Sequence, residues 1–371
     1  MVDEPTTHRP VFEIVRAIRE HGPIGFDAFM ELALYGPGGY YERPPIGTEG
    51  DFVTSPHVHW WFAYALAVVL GELHDALGAD RPVRLVELGA GDGTLARQLL
   101  EIVAEAGPIE YVAVDRAAGA RSSLEAVPGV RAVGSLDEAG PLGSALVFAN
   151  ELLDNLPFRL VRRRGDRLVE VLVDVEDGRL VETESDADAG LAALASPIAD
   201  GDEAPAPVGT LALVDALAER MRDSYALLID YSSERGADVH GYRRHRVTGD
   251  VLDDPGSRDV TAGVDFDAVE ARARERGLAV LGRVTQRDVL LALGVDAWMT
   301  RERGARSDSA GAGIDAVRAW SSRSRASLLV DQAGLGAHRW LLLSTPGLPV
   351  PAWLDRARAR ADKRGGAAAS G

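Results

Sequence analysis

Apolar and polar positions along the chain follow two different periods. From about residue 10 to 80 apolar residues recur at helical spacing, broken by Tyr35-Gly36-Pro37-Gly38-Gly39-Tyr40-Tyr41, whose composition favours a loop over a regular element. From Val83 the texture changes. A short apolar run to Leu88 leads into glycines, a helical pattern through Ala104 and a second apolar run from Tyr111 to Val114, which is β-loop-α-β spacing. Ala145 to Ala149 and Tyr225 to Asp230 read as further buried strands, with helical stretches near Leu211 to Arg222 and Phe266 to Arg276.

Strands of this kind alternating with helices predict an α/β fold: a doubly wound, mostly parallel sheet covered on both faces. Between Phe158 and Val181 the period drops to two, as in Arg167-Leu168-Val169-Glu170-Val171-Leu172-Val173-Asp174, so an antiparallel excursion is expected, extending one edge of the sheet. The reading divides the chain into an N-terminal helical cap or lid region over 1–80, a core over 81–345 and a C-terminal tail over 346–371. Within the core, residues 182–208 are rich in Asp, Glu, Ala and Pro with little hydrophobic pattern, and they read as a flexible insertion.

Composition narrows the function classes. The formal net charge is -17, and the densest basic runs, Arg162-Arg163-Arg164 and Arg243-Arg244-His245-Arg246, are short, so no nucleic acid partner is expected. The chain has no cysteine, which excludes disulfides and thiolate metal sites. No apolar run approaches the ~20 residues of a membrane span, and Met1 to Arg19 lacks the order of a signal peptide. The expectation is a soluble, cytoplasmic protein with no membrane partner. No metal is expected either. His57 and His59 are two apart after Pro56, where a capping or surface role fits better than ligation.

The strongest local motif is Val86-Glu87-Leu88-Gly89-Ala90-Gly91-Asp92-Gly93-Thr94-Leu95, at the junction of a predicted strand and helix. Glycines there let a ligand lie against backbone amides at the positive end of a helix. A dinucleotide fingerprint needs G-x-G-x-x-G, and Thr94 stands where its third glycine belongs. Glu87 can face the ammonium of a bound amino acid, and Asp115, ending the next strand, can accept both ribose hydroxyls. Glu87, Gly89, Gly91, Gly93 and Asp115 together match the motif of class I methyltransferases dependent on S-adenosylmethionine (SAM). A loop that merely turns tightly is the bland alternative.

After the strand Ala145 to Ala149 comes Asn150-Glu151-Leu152-Leu153-Asp154-Asn155-Leu156-Pro157. On a helical turn Glu151 and Asp154 lie three apart and can converge on one cation, while Asn150 can accept a hydrogen bond from an attacking nitrogen. The same residue types also cap helices, and taken alone that reading has equal standing. The glycine loop upstream favours chemistry, with Asn150, Glu151 and Asp154 as catalytic candidates.

These segments resemble the MidA-like family, which includes the mitochondrial complex I assembly arginine methyltransferase. The likeness rests on the block from Phe29 to Tyr41 with Gly50-Asp51-Phe52-Val53-Thr54-Ser55-Pro56, on the two motifs above, and on Ile229-Asp230-Tyr231 with the segment Asp259 to Phe266 and the later Thr285-Gln286. The resemblance implies a Rossmann-like class I methyltransferase fold, SAM as methyl donor, and Asp51, Thr54, Ser55 and Pro56 lining the pocket. Three departures stand out. Gly263 replaces a family His, Leu152-Leu153 replace a phenylalanine pair, and the usual Ser and Gln after Asp115 are missing.

The leading expectation is methyl transfer to a nitrogen nucleophile, a protein arginine gripped by Glu151 and Asp154. A small-molecule N- or O-methyltransferase and a SAM-binding assembly factor without catalysis are the alternatives. The residues do not encode an oligomeric state.

Overall fold

The computed structural model describes residues 9–42, 54–78, 82–104, 107–195, 198–232, 240–243, 246–248, 251–307 and 314–368. At its centre is a seven-stranded sheet of β1 (Val83–Leu88), β2 (Ile109–Val114), β3 (Val130–Val133), β4 (Leu146–Asn150), β5 (Tyr225–Asp230), β6 (Ala279–Thr285) and β7 (Arg339–Ser344), in the order β6-β7-β5-β4-β1-β2-β3. Strands β1 to β5 pair in parallel, and β7 runs antiparallel to both β5 and β6. The doubly wound α/β expectation holds.

The buried-strand reading has a direct physical counterpart. All six residues of β5 are buried, because helices cover both sides. Leu227 and Ile229 face the layer of helices Trp61–Leu77 and Thr94–Ile102, whereas Ala226 and Leu228 face Val208–Arg220 and Phe266–Glu275. The order of the strands reverses between β1 and β4. Open α/β sheets bind ligands in the crevice at such a point, beyond the carboxyl ends of the strands. Register levels those ends: Leu88 pairs with Val114 on one side and Ala149 on the other, and Asn150 pairs with Ile229.

The antiparallel excursion is real, but it does not extend the central sheet. Strands Arg159–Arg164, Arg167–Glu176 and Arg179–Asp186 form a separate sheet with Glu203–Ala206 and the short strand Ile24–Gly25. Period-two patterning gives this sheet one apolar face, and Val171 and Val173 pack beneath Ile14, Phe26, Phe29 and Met30 of the N-terminal helices. Part of the N-terminal region therefore caps the second sheet, while helix Trp61–Leu77 belongs to the central core.

Residues 182–208 differ from the expected flexible insertion. They contain the end of a strand, the helix Ala189–Leu194 and the strand Glu203–Ala206. Leu191, Ala204 and Ala206 bury against Val161, and Arg162 pairs with Glu182, Glu184 and Glu203. The flexible reading rests on the weak hydrophobic pattern, which does not report pairing. Ladder hydrogen bonds and one shared arginine hold the segment in place. The expected tail instead carries helix Ala352–Ala368, which buries Trp353, Leu354 and Ala357 in the central core. Among the described residues no helix is long and apolar enough to cross a membrane.

Candidate active site

A cleft of about 320 Å³ opens at the switch point, within the ~300–1,000 Å³ range usual for small-molecule sites. Its walls include Gly89, Gly91 and Asp92 after β1, Asp115 to Ala117 after β2, Gly134 to Leu136 after β3, and Glu151 and Leu152 after β4. Tyr35 and Tyr41, stacked with ring centroids 5.3 Å apart, contribute from the N-terminal region. The guanidinium of Arg116 lies over the Tyr35 ring at 4.4 Å.

The glycine loop takes a conformation that other residues rarely adopt. Gly89, Gly91 and Gly93 have φ of 67°, 56° and 77°. A Cβ at Gly89 would meet Leu152 Cδ1 at 2.7 Å. Gly93 turns the chain into helix Thr94–Ile102 and packs towards Leu124 and Val127, away from the cleft lining. Asp115 accepts from the Gly91 amide through Oδ2 and from the Ala117 amide through Oδ1, both at 2.9 Å. Each carboxylate oxygen carries a second lone pair, so a vicinal diol is the partner this geometry suits. Burial pushes the Asp115 carboxyl up, and the two amides oppose that shift.

A nucleoside with an amino-acid arm fits this wall: bare backbone at 89 to 91, a diol acceptor at 115 and a carboxylate at 151. Glu87 sits elsewhere. It is buried beneath the loop, accepts the Tyr111 hydroxyl at 2.6 Å and does not line the cleft. Burial pushes its carboxyl up to about 8, with the Tyr111 hydrogen bond opposing.

Glu151 occupies the opposite wall in a left-handed conformation, φ 52°, unusual for a residue with a side chain and common where function constrains the backbone. Its amide donates to Ile229 O at 2.8 Å, and its Oε1 accepts from the Ser55 amide at 2.8 Å and the Asn150 side chain at 3.2 Å. Asn150 Oδ1 is buried without a hydrogen-bond partner, as is Asp154 Oδ1. Asp154 lies in the 3₁₀ turn Leu153–Asn155, whose Leu153 and Asp154 amides donate to Oδ2 of Asp230 at 2.7 and 3.2 Å.

Asp259 completes this acidic group and accepts the Tyr41 hydroxyl at 2.8 Å. Burial, then the charges of Asp230, Asp259 and Glu151, push Asp154 well above the usual carboxylate range. Burial pushes Asp230 up to about 7. Ala262 donates to the Asp154 carbonyl at 3.1 Å, which sets the departure at Gly263 beside this turn.

Of the residues singled out in the sequence, Gly89, Gly91, Asp115 and Glu151 line the cleft, whereas Asn150, Asp154, Thr54, Ser55 and Pro56 stand behind its walls. Asp51 lies outside the described residues. Asp92, Asp230, Asp259 and Tyr35 were not among the candidates. Asp230 ends a predicted strand beside the switch point, a signal that could have found it. Asp259 is too far along the chain from its partners for spacing to reveal it. Among the described residues no cluster of metal-ligating side chains occurs.

Comparison with known proteins gives the site its context. Residues 65–284 match the family described as S-adenosyl-L-methionine-dependent methyltransferase. The mitochondrial "Protein arginine methyltransferase NDUFAF7 homolog" of Drosophila melanogaster is 31% identical over 301 residues, 69% of this chain and 68% of the relative. The NDUFAF7 protein of Xenopus tropicalis, also named mitochondrial, is 26% identical over 336 residues, 79% of this chain and 77% of its own. A Burkholderia thailandensis crystal structure bound to S-adenosyl-homocysteine superposes with a TM-score of 0.81 at 26% identity, covering 97% of this chain and 98% of that one.

The mitochondrial names overturn the cytoplasmic expectation. Its basis was too coarse, since a chain without cysteine or a long apolar run suits more than one reducing compartment. The fold, the methyl-donor cofactor and the enzymatic class agree with the sequence-based reading, and the chain belongs to this family of S-adenosyl-L-methionine-dependent methyltransferases.

Proposed function

We propose that the enzyme methylates a nitrogen of a cationic acceptor, an arginine side chain of a protein. The observation that carries this reading is Glu151 on the cleft wall, constrained at φ 52° and backed by the buried Asp154. The name of the relatives, protein arginine methyltransferase, supports it. Gly89, Gly91 and Asp115 hold the cofactor, and Glu87 supports the loop from below. Bound SAM supplies an electrophilic methyl carried on a sulfonium.

The chain's own part is placement and proton handling. Transfer is an in-line displacement in which a nitrogen–carbon bond forms, a carbon–sulfur bond breaks and the nitrogen loses a proton. Glu151 grips the guanidinium from the cleft wall, and the buried Asp154 stands behind that wall as its support. Asn150 fixes Glu151 through its side-chain amide, and Glu151 takes the proton late in the transfer. Tyr35 and Tyr41 exclude water from the mouth.

Labelled SAM incubated with the protein and a mitochondrial lysate tests the reading. Label should appear on protein arginine, and Glu151→Gln should slow single-turnover transfer by about 100-fold. Label confined to small molecules, or a Gln variant as fast as wild type, sinks it.

A further inference from the structure

Residues 54–58 stand behind the cleft and touch both of its sides. The Ser55 amide holds Glu151, while the His57 ring lies between Thr54 and Asp92. Thr54 Oγ1 is 2.8 Å from Nδ1 of His57, and Asp92 Oδ2 is 3.1 Å from its Nε2. A carboxylate only accepts when ionised, so the proton sits on Nε2 and the Thr54 hydroxyl donates to Nδ1. The His57 side chain is 11% exposed, and of Thr54, His57 and Asp92 only Asp92 lines the cleft.

Asp92 occupies the middle of a loop whose three flanking glycines leave it conformationally free. Within the loop it accepts from the Thr94 amide and hydroxyl, both at 2.9 Å. His57 adds an anchor from outside the loop, and Gln98 donates to Pro56 O at 3.2 Å, tying the same turn to the helix that follows. Burial raises the Asp92 carboxyl, yet hydrogen bonds from His57 and Thr94 leave it below the usual carboxylate range, so Asp92 is the charged partner this contact needs.

We propose that His57 is a positioning residue for the cofactor: through Asp92 it holds the glycine loop in its binding shape without touching the ligand. The inference rests on the cofactor lying against residues 89 to 91. An anchored loop loses less conformational freedom on binding, so the contact appears as affinity. The sequence alone suggested only a capping or surface histidine here.

Calorimetric titration of S-adenosylhomocysteine into the full chain, with thermal melts alongside, tests the proposal. His57→Ala should bind about tenfold more weakly, the loss of one charge-assisted hydrogen bond. His57→Gln keeps an N–H for Asp92 and should recover most of the affinity. Thr54→Val, which only removes the hydroxyl that orients the ring, should weaken binding in the same direction. In the His57→Ala background Asp92→Asn should add little, because the two side chains act together.

Affinity within about twofold of wild type for His57→Ala overturns the proposal, since one lost charge-assisted hydrogen bond exceeds that. So does a loss in the Ala and Gln variants alike that tracks their melting temperatures. Wild-type protein that takes up no S-adenosylhomocysteine overturns the cofactor placement itself, and the inference with it.

Discussion

Tyr111 donates its hydroxyl proton to Oε2 of Glu87 over 2.6 Å, and both side chains are buried between the central sheet and its helices. Burial raises the Glu87 carboxyl from 4.5 to about 8, so the folded protein keeps a proton there that the unfolded chain releases. The stabilising contribution is therefore complete below pH 4.5 and is lost as pH rises through about 8. Asp230, raised to about 7, adds in the same direction. Urea midpoints should fall between about pH 5 and 8 and level off above, and Glu87→Gln, which cannot ionise, should flatten that decline. An equal decline in the variant removes Glu87 from the account.

Gly89→Ala separates the loop's shape from the fold's stability. The site has φ 67°, where a non-glycine residue costs about 1 kcal/mol, and the added Cβ would meet Leu152 Cδ1 at 2.7 Å. Leu152 is a half-buried side chain on the cleft wall and can move, so the variant should fold. Its displacement narrows the cleft between Gly89 and Glu151. S-adenosylhomocysteine affinity should fall by at least about tenfold with little change in the melt. A variant that binds like wild type places the ligand away from this loop.

How much of this was legible in the sequence depends on the range of each signal. The glycine loop and Asp115 are carried by residues close in sequence or at successive strand ends, and local pattern reveals them. Glu87 was legible as an acid in the strand, but not the side it faces, because that depends on Tyr111 across β2. Residues 182–208 misled because order there comes from pairing with Arg159–Arg164, a contact invisible to composition. Asp259 and Tyr41 meet across 218 residues, and only the fold brings them together.

Asp230 is placed to shape the acceptor side without facing it. Its Oδ2 takes the Leu153 and Asp154 amides and its Oδ1 takes the Tyr231 amide at 2.8 Å, all in a fully buried position. Asp230→Ala leaves three N–H groups without this acceptor and should cost on the order of 3 kcal/mol in urea unfolding. Asp230→Asn keeps an acceptor oxygen and should cost less than half of that. If the turn supports Glu151 on the acceptor side, the Asn variant should lose more in kcat/KM than in S-adenosylhomocysteine affinity. Equal losses would make Asp230 purely a stabilising residue.

The C-terminal helix offers the clearest stability test, because the expected tail docks on the core. Trp353 is 1% exposed and meets Trp340 of β7 edge to face at 6.2 Å. Glu72 of helix Trp61–Leu77 accepts the Trp353 amide at 2.7 Å and pairs with Arg356, fixing where the last helix begins. The indole fills space between that helix and the sheet, so Trp353→Ala opens a cavity that rigid neighbours cannot close and should cost about 3–5 kcal/mol. Glu72→Gln keeps an acceptor for the amide and should cost under about 1 kcal/mol, since the Arg356 pair is half exposed. Neither Glu72 nor Trp353 lines the cleft, so neither change should alter S-adenosylhomocysteine affinity while the protein remains folded. A Trp353→Ala variant as stable as wild type would mean that this helix does not dock on the core.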